Sequence, residues 1–138
     1  MMRRLRSVMA VCRLAPWFIG FGVAKRFLPL TTLVRTAYRE PRAGTAGNLT
    51  QIASRVFLTG RLTGAPDADC LQRSLLLYRE LSCAGLDPEL SVGFRHVADR
   101  LTGHAWVSVA GTAVGESELD AASFTRVLRF GADGALRR

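Results

Sequence analysis

The sequence has little cysteine, and what it has forms no pattern. Cys12, Cys70 and Cys83 make an odd count, no Cys-x-x-Cys pair occurs, and the two histidines, His96 and His104, stand apart. Neither a disulfide framework nor a zinc site is expected. No other cofactor is called for, and a reduced, cytoplasmic setting is the simpler assumption. Long apolar runs are also missing. The longest, Leu14 to Ala24, is broken by Pro16, Gly20 and Gly22, whereas a membrane span needs about 20 apolar residues. Repeats and low-complexity tracts are absent. At 138 residues, 49% hydrophobic and 22% charged, the chain has the composition of one folded domain with a modest core, too small for a motor or a large barrel.

Acidic residues are scarce at one end. Residues 1–45 hold nine basic groups against the single acid Glu40, a net of +8, while residues 46–138 balance ten basic groups with ten acids. The whole excess of the chain, +8, therefore sits in its first third. A basic start followed by an apolar stretch partly fits a secretory signal, but the Pro and Gly residues are awkward and no small-residue cleavage site follows Ala24. Trp17, Phe18, Ile19, Phe21, Phe27 and Leu28 make the segment too apolar for a solvated nucleic-acid arm, so no nucleic-acid partner is expected. Peripheral contact with a membrane or a partner protein fits a basic amphipathic helix. Helices packed on the domain, with arginines on the wet side, are the commoner arrangement.

Met1 to Leu14 has a loose helical pattern, expected to end or kink near Pro16. Phe27 to Tyr38 is a second candidate helix, interrupted by Pro29, and Pro41 to Gly47 reads as a linker. This divides the chain into a basic helical extension, 1–45, and a domain, 46–138. Asn48 looks like an N-cap for a helix to about Thr59, with Leu49, Ile52, Ala53, Val56 and Phe57 at helical spacing. A turn-rich loop follows. Asp69 then caps a helix from Cys70 to about Ala84, stopped by Gly85. Its inward residues are Leu71, Leu75, Tyr78 and Leu81 or Leu77. Glu89 to Arg95 alternates as a strand, with Leu90, Val92 and Phe94 on one face. His96 to Leu101 reads as a loop. Gly103 to Val109 is a second strand, turned at Ala110-Gly111 into a returning strand from Thr112 to Glu116. Thr125 to Phe130 is a further strand candidate. Helices followed by an antiparallel sheet make an α+β fold.

Cys70 opens a helix just behind a capping residue. Unpaired N–H groups and the helix dipole there stabilise a thiolate, lowering the thiol pKa from about 8.5, and the same groups can hold an oxyanion. Arg73 adds positive charge one turn on, although a salt bridge to Asp67 or Asp69 is its ordinary role. A small buried apolar residue is the ordinary role of any single cysteine. His104 lies on a strand that can pack against the Cys70 helix. A two-residue turn at Ala110-Gly111 or Gly111-Thr112 pairs position 104 with 117 or 119. That brings Glu116 or Glu118 beside the imidazole, where a carboxylate would fix its tautomer and support its cation.

The runs CLQRSLLLYREL (70–81), GLDPELSVGFR (85–95) and GHAWVSVAG (103–111) resemble the transglutaminase-like cysteine proteases of lasso-peptide biosynthesis, over about residues 46–120. The resemblance implies a papain-like core with the catalytic helix packed on an antiparallel sheet. It also implies a Cys-His-Asp triad that removes the leader from a ribosomally made precursor peptide, so that a separate ATP-dependent cyclase can close the ring. By motif, Cys70 is the nucleophile and His104 the general base and acid. The family's Asp falls about a dozen residues past the His, at Glu116, so this chain departs from the pattern there. Glu118 and Asp120 are the nearby alternatives. Trp106 shares a strand face with His104 and is expected, with Arg73, to border the substrate. The partners implied are the precursor, a separate leader-recognition protein and the cyclase, with residues 1–45 a candidate docking surface. The competing reading is a non-catalytic or acyl-transferring module that binds peptide.

Overall fold

The structure is a computed structural model that describes residues 2–43, 47–63, 70–115 and 121–137. α1 (Met2–Ala24) does not stop at Pro16 but runs through it. Proline inside a helix costs about 3 kcal/mol because it removes one backbone bond and crowds the preceding turn. Tertiary burial offsets that cost here. Leu14, Phe18 and Phe21, at helical spacing around the proline, are 1–3% exposed and belong to the same hydrophobic cluster as the later elements. α2 is shorter than the sequence suggests. It spans Leu30–Ala37, with Pro29 at the N-cap position in an extended conformation, and buries Leu33, Val34 and Ala37. Proline serves as a start signal because at a helix opening its missing N–H costs no intrahelical bond.

α3 (Leu49–Leu62) opens as expected, with the Asn48 side chain accepting from the Thr50 N–H at 2.9 Å. It runs three residues past Thr59. α4 (Cys70–Cys83) is the central helix. Leu75, Leu76, Leu77, Tyr78 and Leu81 are all 0–4% exposed, a wider buried face than one amphipathic stripe. Gly85, at φ +71°, ends it in a Schellman arrangement, with the Leu86 N–H on Leu81 O and the Gly85 N–H on Ser82 O. Two buried polar groups of α4 are satisfied by distant backbone. Gln72 donates to Phe18 O of α1 at 2.7 Å, which requires Gly22, since a Cβ there would lie 2.6 Å from the Gln72 amide nitrogen. The Tyr78 hydroxyl donates to Gly131 O at 2.6 Å, and burial pushes its phenol up to about 12.

The sheet is antiparallel throughout, in the order β3-β2-β1-β4-β5. Its strands are β1 (Pro88–Val97), β2 (Arg100–Val109), β3 (Thr112–Ala113), β4 (Thr125–Phe130) and β5 (Leu136–Arg137). His96 to Leu101 is not a loop. β1 and β2 extend through it to a two-residue turn at Ala98-Asp99, where both φ angles are positive. The second hairpin turns at Ala110-Gly111, again with both φ positive, the type I′ geometry that matches strand twist. Leu90, Val107 and Phe130 point into the cluster formed with the helices. By strand alternation His104 and Trp106 face the other side. The fold is therefore α+β, helices first, as expected.

Candidate active site

Cys70 reaches the main chain of β2 next to His104, while the His104 side chain faces away from the helices. β3 accompanies β2 only at Ser108 and Val109, and one further bond joins the Val114 N–H to Val107 O at 2.8 Å. The main chain of Val107 therefore points toward the β3 side. Two residues back, that of Ala105 must point the same way, past the end of β3. Buried backbone groups need partners, and α4 supplies both. The Ala105 N–H donates to Cys70 Sγ at 3.3 Å, and the Ser74 hydroxyl donates to Ala105 O at 3.0 Å. Residues 70 and 74 are one helical turn apart and share a face. This pair of bonds fastens the opening turn of α4 to β2, with the sulfur on the peptide that joins His104 to Ala105.

The imidazole lies among aromatic rings. Phe124 is 4.9 Å away between centroids, and Trp106 is stacked at 6.0 Å with an interplanar angle of 19°. Trp106 is 3% exposed, so its contact is with neighbouring side chains. It borders a cleft of ≈390 Å³ together with Ser108, Ala121, Phe124 and Arg126. Gly93 is paired directly with His104. A Cβ there would approach Thr125 O to 2.7 Å, Trp106 to 3.1 Å and Phe124 to 3.2 Å, so glycine is what lets the aromatic group close over β1. Arg73 turns toward α3 and places its guanidinium 5.3 Å from the Phe57 ring.

The hairpin does not continue as the sequence suggests. β3 ends at Ala113 and Gly115 adopts φ +75°; positions 117 and 119, which the turn would pair with 104, lie outside the described residues. Glu116, Glu118 and Asp120 lie outside the described residues, as do Asp67 and the expected cap Asp69. None of the three cysteines is in a disulfide. No group of three His, Cys, Asp or Glu side chains that could hold a metal occurs among the described residues, and no described helix is long and apolar enough to cross a membrane.

Two contributors were missed in the sequence. Ser74 had a signal, its spacing of four from Cys70. Phe124 had none, because its place depends on β4 pairing with β1 across a register shift at Val92/Gly93. Comparison with protein-family models matches residues 9–129 to the one described as the transglutaminase-like superfamily. No curated protein and no solved structure matches the chain.

Proposed function

The chain belongs to the transglutaminase-like superfamily, and from that premise we propose that it is a cysteine peptidase that removes the leader from a ribosomally made lasso precursor peptide. The observation that carries the reading is the 3.3 Å hydrogen bond from the Ala105 N–H to Cys70 Sγ. It sets the only cysteine at a helix start against the strand that bears His104. A donor aimed at sulfur and the first-turn N–H groups of α4 both favour negative charge on it.

In the reaction, the Cys70 thiolate attacks the scissile carbonyl at the leader–core junction and forms a tetrahedral oxyanion. The first-turn N–H groups of α4 face that charge. Protonated His104 gives its proton to the leaving amine as the C–N bond breaks, leaving a Cys70 thioester. His104 then takes a proton from water, which attacks the thioester and frees the leader acid and the thiol. Glu116 is the proposed carboxylate partner of His104. Substrate lies along the cleft bordered by Trp106, with Arg73 beside it. A separate protein presents the leader, by strand addition to a sheet edge, and the ATP-dependent cyclase receives the product.

The test is cleavage of a precursor by the chain together with its leader-binding partner, comparing wild type, Cys70→Ala and Glu116→Gln by mass spectrometry. Loss of product in Cys70→Ala is expected, and cleavage that survives it removes the proposal. Full activity in Glu116→Gln removes only the carboxylate assignment. Products that instead carry an added amine identify acyl transfer.

A further inference from the structure

Four arginines from three parts of the chain converge near the far end of α4. Arg13 comes from α1, Arg79 from α4, and Arg39 and Arg42 from the segment after α2. With Trp17 and Glu80 they border a cleft of ≈210 Å³. The segment is pinned there by the Arg42 N–H on Cys83 O at 3.1 Å.

Arg79 is the unusual member. It is 8% exposed, with its guanidinium carbon over the Trp17 indole, 3.5 Å from the ring centroid. Arg39 is 5.7 Å from the same ring. Buried guanidinium groups are ordinarily paired, yet Nη1 of Arg79 has no hydrogen-bond partner among the described residues. Glu80, the one carboxylate bordering the cleft among the described residues, is engaged by Arg13 at 2.7 Å. Burial and then Arg39 push the Arg79 guanidinium below its ordinary range, with Arg42 adding a little, against weaker support from Cys83 and Glu80. Among the described residues that border the hollow, four guanidinium groups thus share one carboxylate.

We infer that this cleft binds a phosphate-type oxyanion, with Arg79 as its fixed donor and Arg39 and Arg42 closing over it. The lining carries four positive charges and one negative, so a doubly charged phosphoryl group matches it better than a single carboxylate does. Arginine's planar donors fit phosphate oxygens two at a time, and the indole beneath Arg79 restricts where that fork can move. The volume admits a phosphate with a small organic substituent. The inference stands apart from the reading of Cys70.

Phosphate can arrive free or as a lipid headgroup, and two arms of one experiment separate these sources. In the first, inorganic phosphate is titrated into the full chain by calorimetry at constant ionic strength, with chloride as control. One site per chain is expected. In Arg39→Gln/Arg42→Gln, whose changes are confined to exposed side chains, affinity falls by roughly tenfold or more. Arg79→Lys keeps the charge but not the planar fork, and is expected to weaken binding comparably. In the second arm, the chain is sedimented with phosphatidylcholine vesicles with and without phosphatidic acid. Binding that needs phosphatidic acid and is lost in the double variant assigns the site to a headgroup, even where free phosphate binds too weakly to measure. The inference is overturned if neither arm shows saturable binding, or if the double variant binds as wild type does.

Discussion

At the opening turn of α4, the sulfur of Cys70 accepts a hydrogen bond from β2. Nine residues later the same helix presents Arg79, whose guanidinium rests on an indole from α1. Between them Leu75, Leu76, Leu77 and Tyr78 are almost wholly buried. The two ends are held by different physics. Cys70 lies within the first turn, where the helix dipole and unpaired N–H groups act on it directly. Arg79 stands a turn short of the C-terminus, where the dipole contributes little, so its position rests on stacking over Trp17 and on burial. An apolar middle and polar ends let one helix anchor the core while each end meets a different element.

The largest effects separate the two ends. Cys70→Ala or His104→Ala is expected to lower cleavage by at least about 1000-fold, as removal of a nucleophile or its base does. Circular dichroism should show the fold retained. Arg39→Gln/Arg42→Gln should leave alkylation of Cys70 by iodoacetamide unchanged. A changed rate would join two sites that the fold keeps apart. The middle answers next. Leu76→Ala is expected to cost about 2–5 kcal/mol through lost burial and the cavity left behind, read from urea unfolding. It should weaken both ends together, and loss of one end alone would break the comparison.

A smaller effect depends on pH. Tyr78 is fully buried and keeps its phenol neutral up to about 12, against 10.0 in its ordinary range. The folded state thus holds the proton more tightly than the unfolded one. The stability this contributes is fully present below pH 10 and is lost as pH rises from 10 to 12, a change on the order of 2 kcal/mol. Urea midpoints measured across that window should fall more steeply for wild type than for Tyr78→Phe. Parallel curves would show that the hydroxyl on Gly131 O is not held as described.

Local signals were legible and long-range ones were not. The Asn48 cap, the Gly85 stop and the turn at Ala110-Gly111 each depend on a few adjacent residues, and all three stand where the sequence puts them. Cys70 and His104 were visible as a helix start and a strand position, although the contact of Cys70 with the Ala105 N–H is tertiary. Pro16 misled because its cost is local while its compensation comes from α3 and α4. The turn at Ala98-Asp99 was hidden because neither residue is glycine, so nothing announced two positive φ angles. β3 ends at Ala113, two residues before Gly115 takes a positive φ, which strand alternation does not register. Arg79 on Trp17 had no signal at all, since the pair is 62 positions apart and its meaning lies in what the guanidinium lacks.

The smallest effect tests whether the arginine end contributes to stability. Arg13 and Glu80 form a 2.7 Å ion pair, but the Arg13 side chain is 63% exposed. Water and salt screen such a pair, and ordering two long side chains opposes it, so Glu80→Gln is expected to cost less than about 1 kcal/mol in urea unfolding. What remains of the cost should shrink as salt is added. A loss of several kcal/mol would mean that Glu80 balances the buried charge of Arg79 as well as pairing with Arg13. The two ends of α4 would then differ in kind, one organised around a reactive atom and the other around an internal ion network that stabilises the fold.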